Sequence, residues 1–217
     1  MRGLIRFLLP LGLGALLAGC CANEACNCQD QQADALFFRF DTGPGGFVPR
    51  TELDTVVVKR YALPLDSAGR PNLKSLTPQN KKIKSFTDLA DSLDRVGSFD
   101  LATLARSTAV RVNAVQTDTV VLNNTLPFAQ SGARKLNTYL YRIAVRRAPG
   151  QLLRNNPRRY EVKDVALRGE FDGDGCCTCY RNTLKTATLV NVTTGNAQAI
   201  SATESAPTAH VYTTLTK

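Results

Sequence analysis

Tyr139-Leu140-Tyr141-Arg142-Ile143-Ala144-Val145 alternates with a period of two. In an extended chain Tyr139, Tyr141, Ile143 and Val145 point one way, and Arg142, with Arg146 just beyond, points the other. The stretch predicts a strand with one apolar face. The two arginines fall on the opposite face, which is expected to be solvated.

Shorter runs of the same kind lie on either side, separated by Gly, Pro, Asn and Asp. Ala35 to Phe40 is a strand candidate ended by the turn-rich residues 42–46. Asp54 to Tyr61 is another, closed by Leu63-Pro64-Leu65, which breaks regular pairing. Ala109 to Val115 and Asp118 to Leu122 follow. Tyr160 to Phe171 begins with Tyr160 and Val162, then shifts by one residue to Val165 and Leu167, which predicts a bulge at Lys163-Asp164. Cys177 to Val192 and His210 to Leu215 complete the set. One segment has helical spacing instead: Phe86, Leu89, Ala90, Leu93 and Val96, with Thr87 as a start cap and Gly97-Ser98 as a stop. Phe99 to Arg106 is expected to add another helical turn or two. About eight strands with closely spaced turns predict an all-β, antiparallel β-sandwich, or a barrel, with one short helical insertion.

The first residues read differently. Arg2 and Arg6 precede a leucine-rich run from about Phe7 to Ala18, the layout of a secretory signal peptide. The run is shorter than the roughly 20 apolar residues of a membrane span. Its exit, Leu17-Ala18-Gly19-Cys20, resembles the lipobox of bacterial lipoproteins at every position. That resemblance covers the export segment alone. It implies cleavage before Cys20, a diacylglycerol on the Cys20 sulfur, an acylated new amino terminus, and a partner in the membrane itself. Several acyl chains anchor firmly where one is marginal. The expected division is a signal peptide over 1–19, a lipidated cysteine and polar tether over 20–34, and one β-sandwich domain over 35–217. Loss of residues 1–19 leaves 198 of the 217 residues and lowers the net charge of +9 by the two arginines.

Seven cysteines then become one lipid attachment point and six thiols in two clusters. Cys21, Cys26 and Cys28 follow the anchor; Cys176, Cys177 and Cys179 lie some 150 residues later. An exported chain favours disulfides. Bridging adjacent cysteines strains the ring, so pairing between clusters is preferred, with the two C-x-C units side by side and Cys21 with Cys176. Six cysteines still allow fifteen connectivities. The alternative is a thiolate metal or redox site made of Cys26, Cys28, Cys177 and Cys179.

Other features point to less. A single histidine, His210, excludes multi-histidine metal sites, and a hydrophobic fraction of 43% excludes wholesale disorder. Asp172 and Asp174 have the spacing that opens a calcium loop, but the later ligands are missing, and Asp-Gly is an ordinary turn. Basic residues at Arg134-Lys135, Arg142, Arg146-Arg147, Arg154 and Arg158-Arg159 suit a solvated surface or an anionic ligand. Four triplets, at Asp54-Thr55, Asp66-Ser67, Asp91-Ser92 and Asp118-Thr119, resemble the O-glycosylation site of exported proteins in some bacteria. No nucleophile elbow, paired-carboxylate motif or phosphate loop is present.

The expectation is therefore a lipid-anchored envelope protein on the extracytoplasmic side, in the outer membrane. It is read as a non-enzymatic structural or binding module with no cofactor and no nucleic-acid partner. An anionic envelope polymer or another envelope protein is the expected partner besides the membrane. The rival readings are a metal-handling or redox lipoprotein and an enzyme acting on envelope glycans.

Overall fold

The computed structural model describes residues 28, 30–49, 52–53, 55–75, 83–105, 119–128, 135–146, 158–174, 177–204 and 209–217. After a helical turn at Asp30–Ala33, the elements are β1 (Leu36–Phe40), β2 (Thr55–Ala62), α1 (Phe86–Val96), β3 (Asp100–Ala105), β4 (Thr119–Leu122), β5 (Tyr139–Arg146), β6 (Arg159–Asp174), β7 (Cys177–Asn191), β8 (Ala197–Ser201) and β9 (Tyr212–Leu215). A six-stranded antiparallel sheet has the order β3-β2-β5-β6-β7-β8. A three-stranded sheet has the order β4-β1-β9, with β4 antiparallel and β9 parallel to β1. The two sheets form a sandwich, with a short helix added, and do not close into a barrel.

Alternation builds the core. Val56, Val58, Tyr139, Tyr141, Ile143, Val145, Tyr160, Val162 and Leu189 of the large sheet pack against Leu36, Phe38, Phe40, Val120, Leu122 and Leu215 of the small one. Each large side chain so buried is worth roughly 1.5–3 kcal/mol against exposure. The slip read near Lys163 is real. The β6–β7 register shifts between Lys163 and Ala166, and Asp164 carries a positive φ of 52°.

The outer face of the large sheet departs from expectation. Arg142 is not solvated; it is almost fully buried beneath α1. Leu89 and Ala90 of the helix, with half-buried Phe86 and Leu93, pack on Tyr61, Leu63 and Leu140. Val96, the last residue of the predicted stripe, stays exposed. Lys59, Arg142 and Glu161 stand in one row across β2, β5 and β6. The helix lowers two carboxylates onto that row, at Asp91 and Asp94. Arg142 contacts Glu161 at 2.7 Å, Asp91 at 2.6 Å and Asp94 at 3.0 Å. Lys59 contacts Asp94 at 2.7 Å, Tyr61 donates to Asp94 at 2.8 Å, and Thr87 donates to Glu161 at 2.7 Å. Alternation alone reported that Arg142 opposes the core; it could not report a helix from elsewhere covering that side.

Two local expectations are also corrected. The start of α1 is capped by Ser85, not Thr87: Ser85 and Asp88 form a reciprocal capping box. Gly97, at φ 70°, ends the helix as expected. The residues after Phe99 do not extend the helix. Asp100–Ala105 pairs with β2 from Arg60↔Asp100 to Thr55↔Ala105, so sheet pairing overrides the helical propensity of Leu and Ala. β8 was not foreseen, because only Ile200 of its five residues is buried. The expected strand at Ala109 to Val115 lies outside the described residues.

The β6–β7 hairpin outruns the rest. β5 pairs with β6 only as far as Val162, and β8 pairs with β7 only over Thr186–Val190. Beyond these points the two strands continue together to Asp174 and Cys177 as a ribbon.

Candidate functional site: the joint between the amino-terminal segment and β7

β7 alternates Lys185, Ala187 and Leu189 toward the interior, and its outer half carries Cys179 and Asn182. The amino-terminal segment runs beside these residues and is fastened at three levels. At the outer level Cys28 and Cys179 form a disulfide, with Cα atoms 5.1 Å apart. At the middle, the Asn182 side-chain amide donates to the Ala33 carbonyl and, at 2.9 Å, to Asp34 Oδ1. At the inner level, the Lys185 ammonium donates to the Ala35 carbonyl at 2.9 Å. One residue later the chain enters β1 and the other sheet.

Lys185 is fully buried. Burial pushes its pKa below the ordinary lysine value, against the pull of Glu204 3.4 Å away. Glu204 also meets His210 Nδ1 at 3.2 Å, and the His210 ring stacks on Phe37 with centroids 4.2 Å apart. The Lys185 backbone N–H donates to Thr203 Oγ1 at 2.9 Å. The joint thus gathers segments around residues 28–37, 179–185, 203–204 and 210. The arrangement fixes one end of the domain. Its charged groups contact one another and main-chain carbonyls.

Of the sequence candidates, Cys28 and Cys179 are brought together, an early cysteine with a late one. Cys177 is also disulfide-bonded. These three sulfurs are therefore not thiolates, and the alternative metal set of Cys26, Cys28, Cys177 and Cys179 loses those ligands. Cys20, Cys21, Cys26 and Cys176 lie outside the described residues. Among the described residues no group of three or more His, Cys, Asp or Glu is placed to hold a metal ion. Asp172 and Asp174 end β6 in register with Cys179 and Cys177, and Asp172 lies 3.8 Å from Arg181.

Of the described members of the basic cluster, Arg142 is buried, Lys135 is exposed, and Arg158 and Arg159 are half-buried. Arg134, Arg147 and Arg154 lie outside the described residues. Of the O-glycosylation triplets, Asp66-Ser67-Ala68 occupies an exposed turn, and Asp91 is engaged by Arg142. Asp54 and Asp118 are outside the described residues. No helix among the described residues is long and apolar enough to cross a membrane.

Asn182, Lys185 and Glu204 were missed by sequence reasoning. For Lys185 a signal existed: reading Ala187 and Leu189 backwards with a period of two places the lysine on the inward face. Asn182 and Glu204 carry no comparable signal, since their partners are distant in sequence. Compared with known families, curated proteins and solved structures, the chain shows no match.

Proposed function

We propose that this is a lipid-anchored protein of the bacterial envelope, held extracytoplasmically through Cys20, that serves as a non-enzymatic structural or binding module. The observation that carries the reading is the three-level joint. Cys28 lies eight residues behind the lipobox cysteine and is covalently tied to β7. Only a span of at most about 28 Å separates anchor from domain, at about 3.5 Å per extended residue. The domain is a rigid body on a short stem, an arrangement suited to holding a surface at a set distance from the membrane.

Intact mass of the protein extracted from membranes tests this. A chain beginning at Cys20 and carrying diacylglycerol plus an amide-linked acyl chain is expected. Cys20→Ala is expected to remain uncleaved and unacylated. A chain beginning elsewhere, or one without lipid, overturns the proposal.

A further inference from the structure

The β6–β7 ribbon has two unlike sides. The β7 side carries the amino-terminal segment through Cys179 and Asn182. On the β6 side, no described strand pairs with the edge beyond Val162. An open edge is a template for another strand, and folded proteins commonly blunt it with charge or cover it.

We propose that a second copy of this chain covers it: two β6 strands pair edge to edge, antiparallel, about a two-fold axis through Gly169. The edge reads Leu167-Arg168-Gly169-Glu170-Phe171. With Gly169 opposite its symmetry mate, each Arg168 faces the other copy's Glu170, and each Leu167 faces the other copy's Phe171. Both kinds of pair form twice, as an isologous contact requires. Neighbouring symmetric registers are worse: centring on Arg168 or on Glu170 sets like charges face to face, and centring on Phe171 opposes Glu170 with Asp172.

Three of the four side chains reach solvent, while Leu167 is half-buried against the core and offers only its outer edge. Arg168 and Glu170 are exposed, and Phe171 is 72% exposed, large for an aromatic ring. Alternation puts Leu167 and Phe171 on one face of the ribbon and Arg168 and Glu170 on the other, so each face of the joined sheet gains one kind of pair. Gly169 is needed for a separate reason. A Cβ there would meet the Tyr180 ring at 2.4 Å and the Arg181 carbonyl oxygen at 2.7 Å. The β6–β7 register shifts twice, between Lys163 and Ala166 and between Arg168 and Gly169; the second shift places an extra residue, Thr183, on β7 and leaves β6 continuous through Gly169. The Glu170 carboxylate already meets Arg181 of its own hairpin at 3.3 Å, which holds it on the charged face.

This inference rests on the fold and not on lipidation, so failure of either proposal leaves the other standing. The test is sedimentation equilibrium of the full exported protein in density-matched detergent, with circular dichroism to verify folding. The native chain is expected to dimerise. Arg168→Glu and Glu170→Arg each replace two attractive pairs with two repulsive ones and are expected to weaken association about tenfold or more. The double variant Arg168→Glu with Glu170→Arg restores opposite charges across the axis and is expected to recover the native affinity to within about threefold. A chain that stays monomeric at the highest attainable concentration overturns the proposal. So does a dimer indifferent to the single reversals, or a folded double variant that fails to recover.

Discussion

Helix α1 and the amino-terminal segment both ride on the six-stranded sheet, yet they are held by opposite means. The helix brings an apolar stripe, Leu89 and Ala90 above all, and a set of ion pairs around Arg142. The amino-terminal segment offers a four-residue helical turn and polar side chains, with little apolar surface to bury. It is held by a disulfide closing 151 residues, an asparagine and a buried lysine. A segment that can bury apolar surface docks by itself; one that cannot needs a covalent tie.

Substituting Arg142→Leu should show the strongest effect. It leaves Glu161, almost wholly buried, without its cation. Loss of one partner of such a pair costs about 3–5 kcal/mol. Denaturant unfolding of the oxidised protein measures it. A loss below about 1 kcal/mol would mean that the apolar stripe alone seats the helix.

Next comes the joint. Cys28→Ser with Cys179→Ser is expected to lower stability by about 2–4 kcal/mol. Hydrogen exchange at residues 33–35 should quicken while α1 stays protected. If α1 opens as well, the two attachments are coupled and the contrast between them fails.

Ser85→Ala removes one half of the capping box and should cost about 1 kcal/mol, read from a shift in the unfolding midpoint. The lost stability should appear as fraying of α1 and leave the joint untouched.

The mildest probe is acid. Burial alone would raise the Asp94 pKa, but hydrogen bonds from Lys59 and Tyr61, with Arg142 nearby, outweigh it and hold the carboxyl below the usual aspartate value. A depressed carboxyl stabilises the fold above its unfolded pKa near 3.8 and loses that contribution as pH falls through the lower folded value. Lys185 is depressed too, and for a cation the sign reverses. Its penalty is full below the folded pKa and fades as pH rises toward 10.5. Stability followed across pH should therefore show an acid loss that Asp94→Asn reduces, and an alkaline gain that Lys185→Met removes.

The sandwich was legible because its strands alternate: Tyr139 to Val145, Ala35 to Phe40 and the slip at Asp164 each announce themselves within a few residues. The pairing of an early cysteine with a late one was legible from their clustering. What stayed hidden depended on partners far away in sequence. Arg142 looked solvated because α1, some 50 residues earlier, covers it. Asp100–Ala105 looked helical because its β2 partner is not visible in six residues. Asn182 and Glu204 are ordinary polar residues until Ala33, Asp34, Lys185 and His210 arrive beside them.

The parallel pairing of β1 with β9 sets an order of assembly. β1 follows directly on the joint, yet one of its neighbours is supplied by residues 119–122 and the other by residues 212–215. The small sheet cannot close until Leu215 is in hand, while the pairing of β2, β3, β5 and β6 needs nothing past Val162. A chain emerging amino end first therefore holds an incomplete layer over an apolar surface until residues 212–215 arrive. The interval before β9 arrives is the vulnerable one, when a chaperone that shields apolar strands has most to cover.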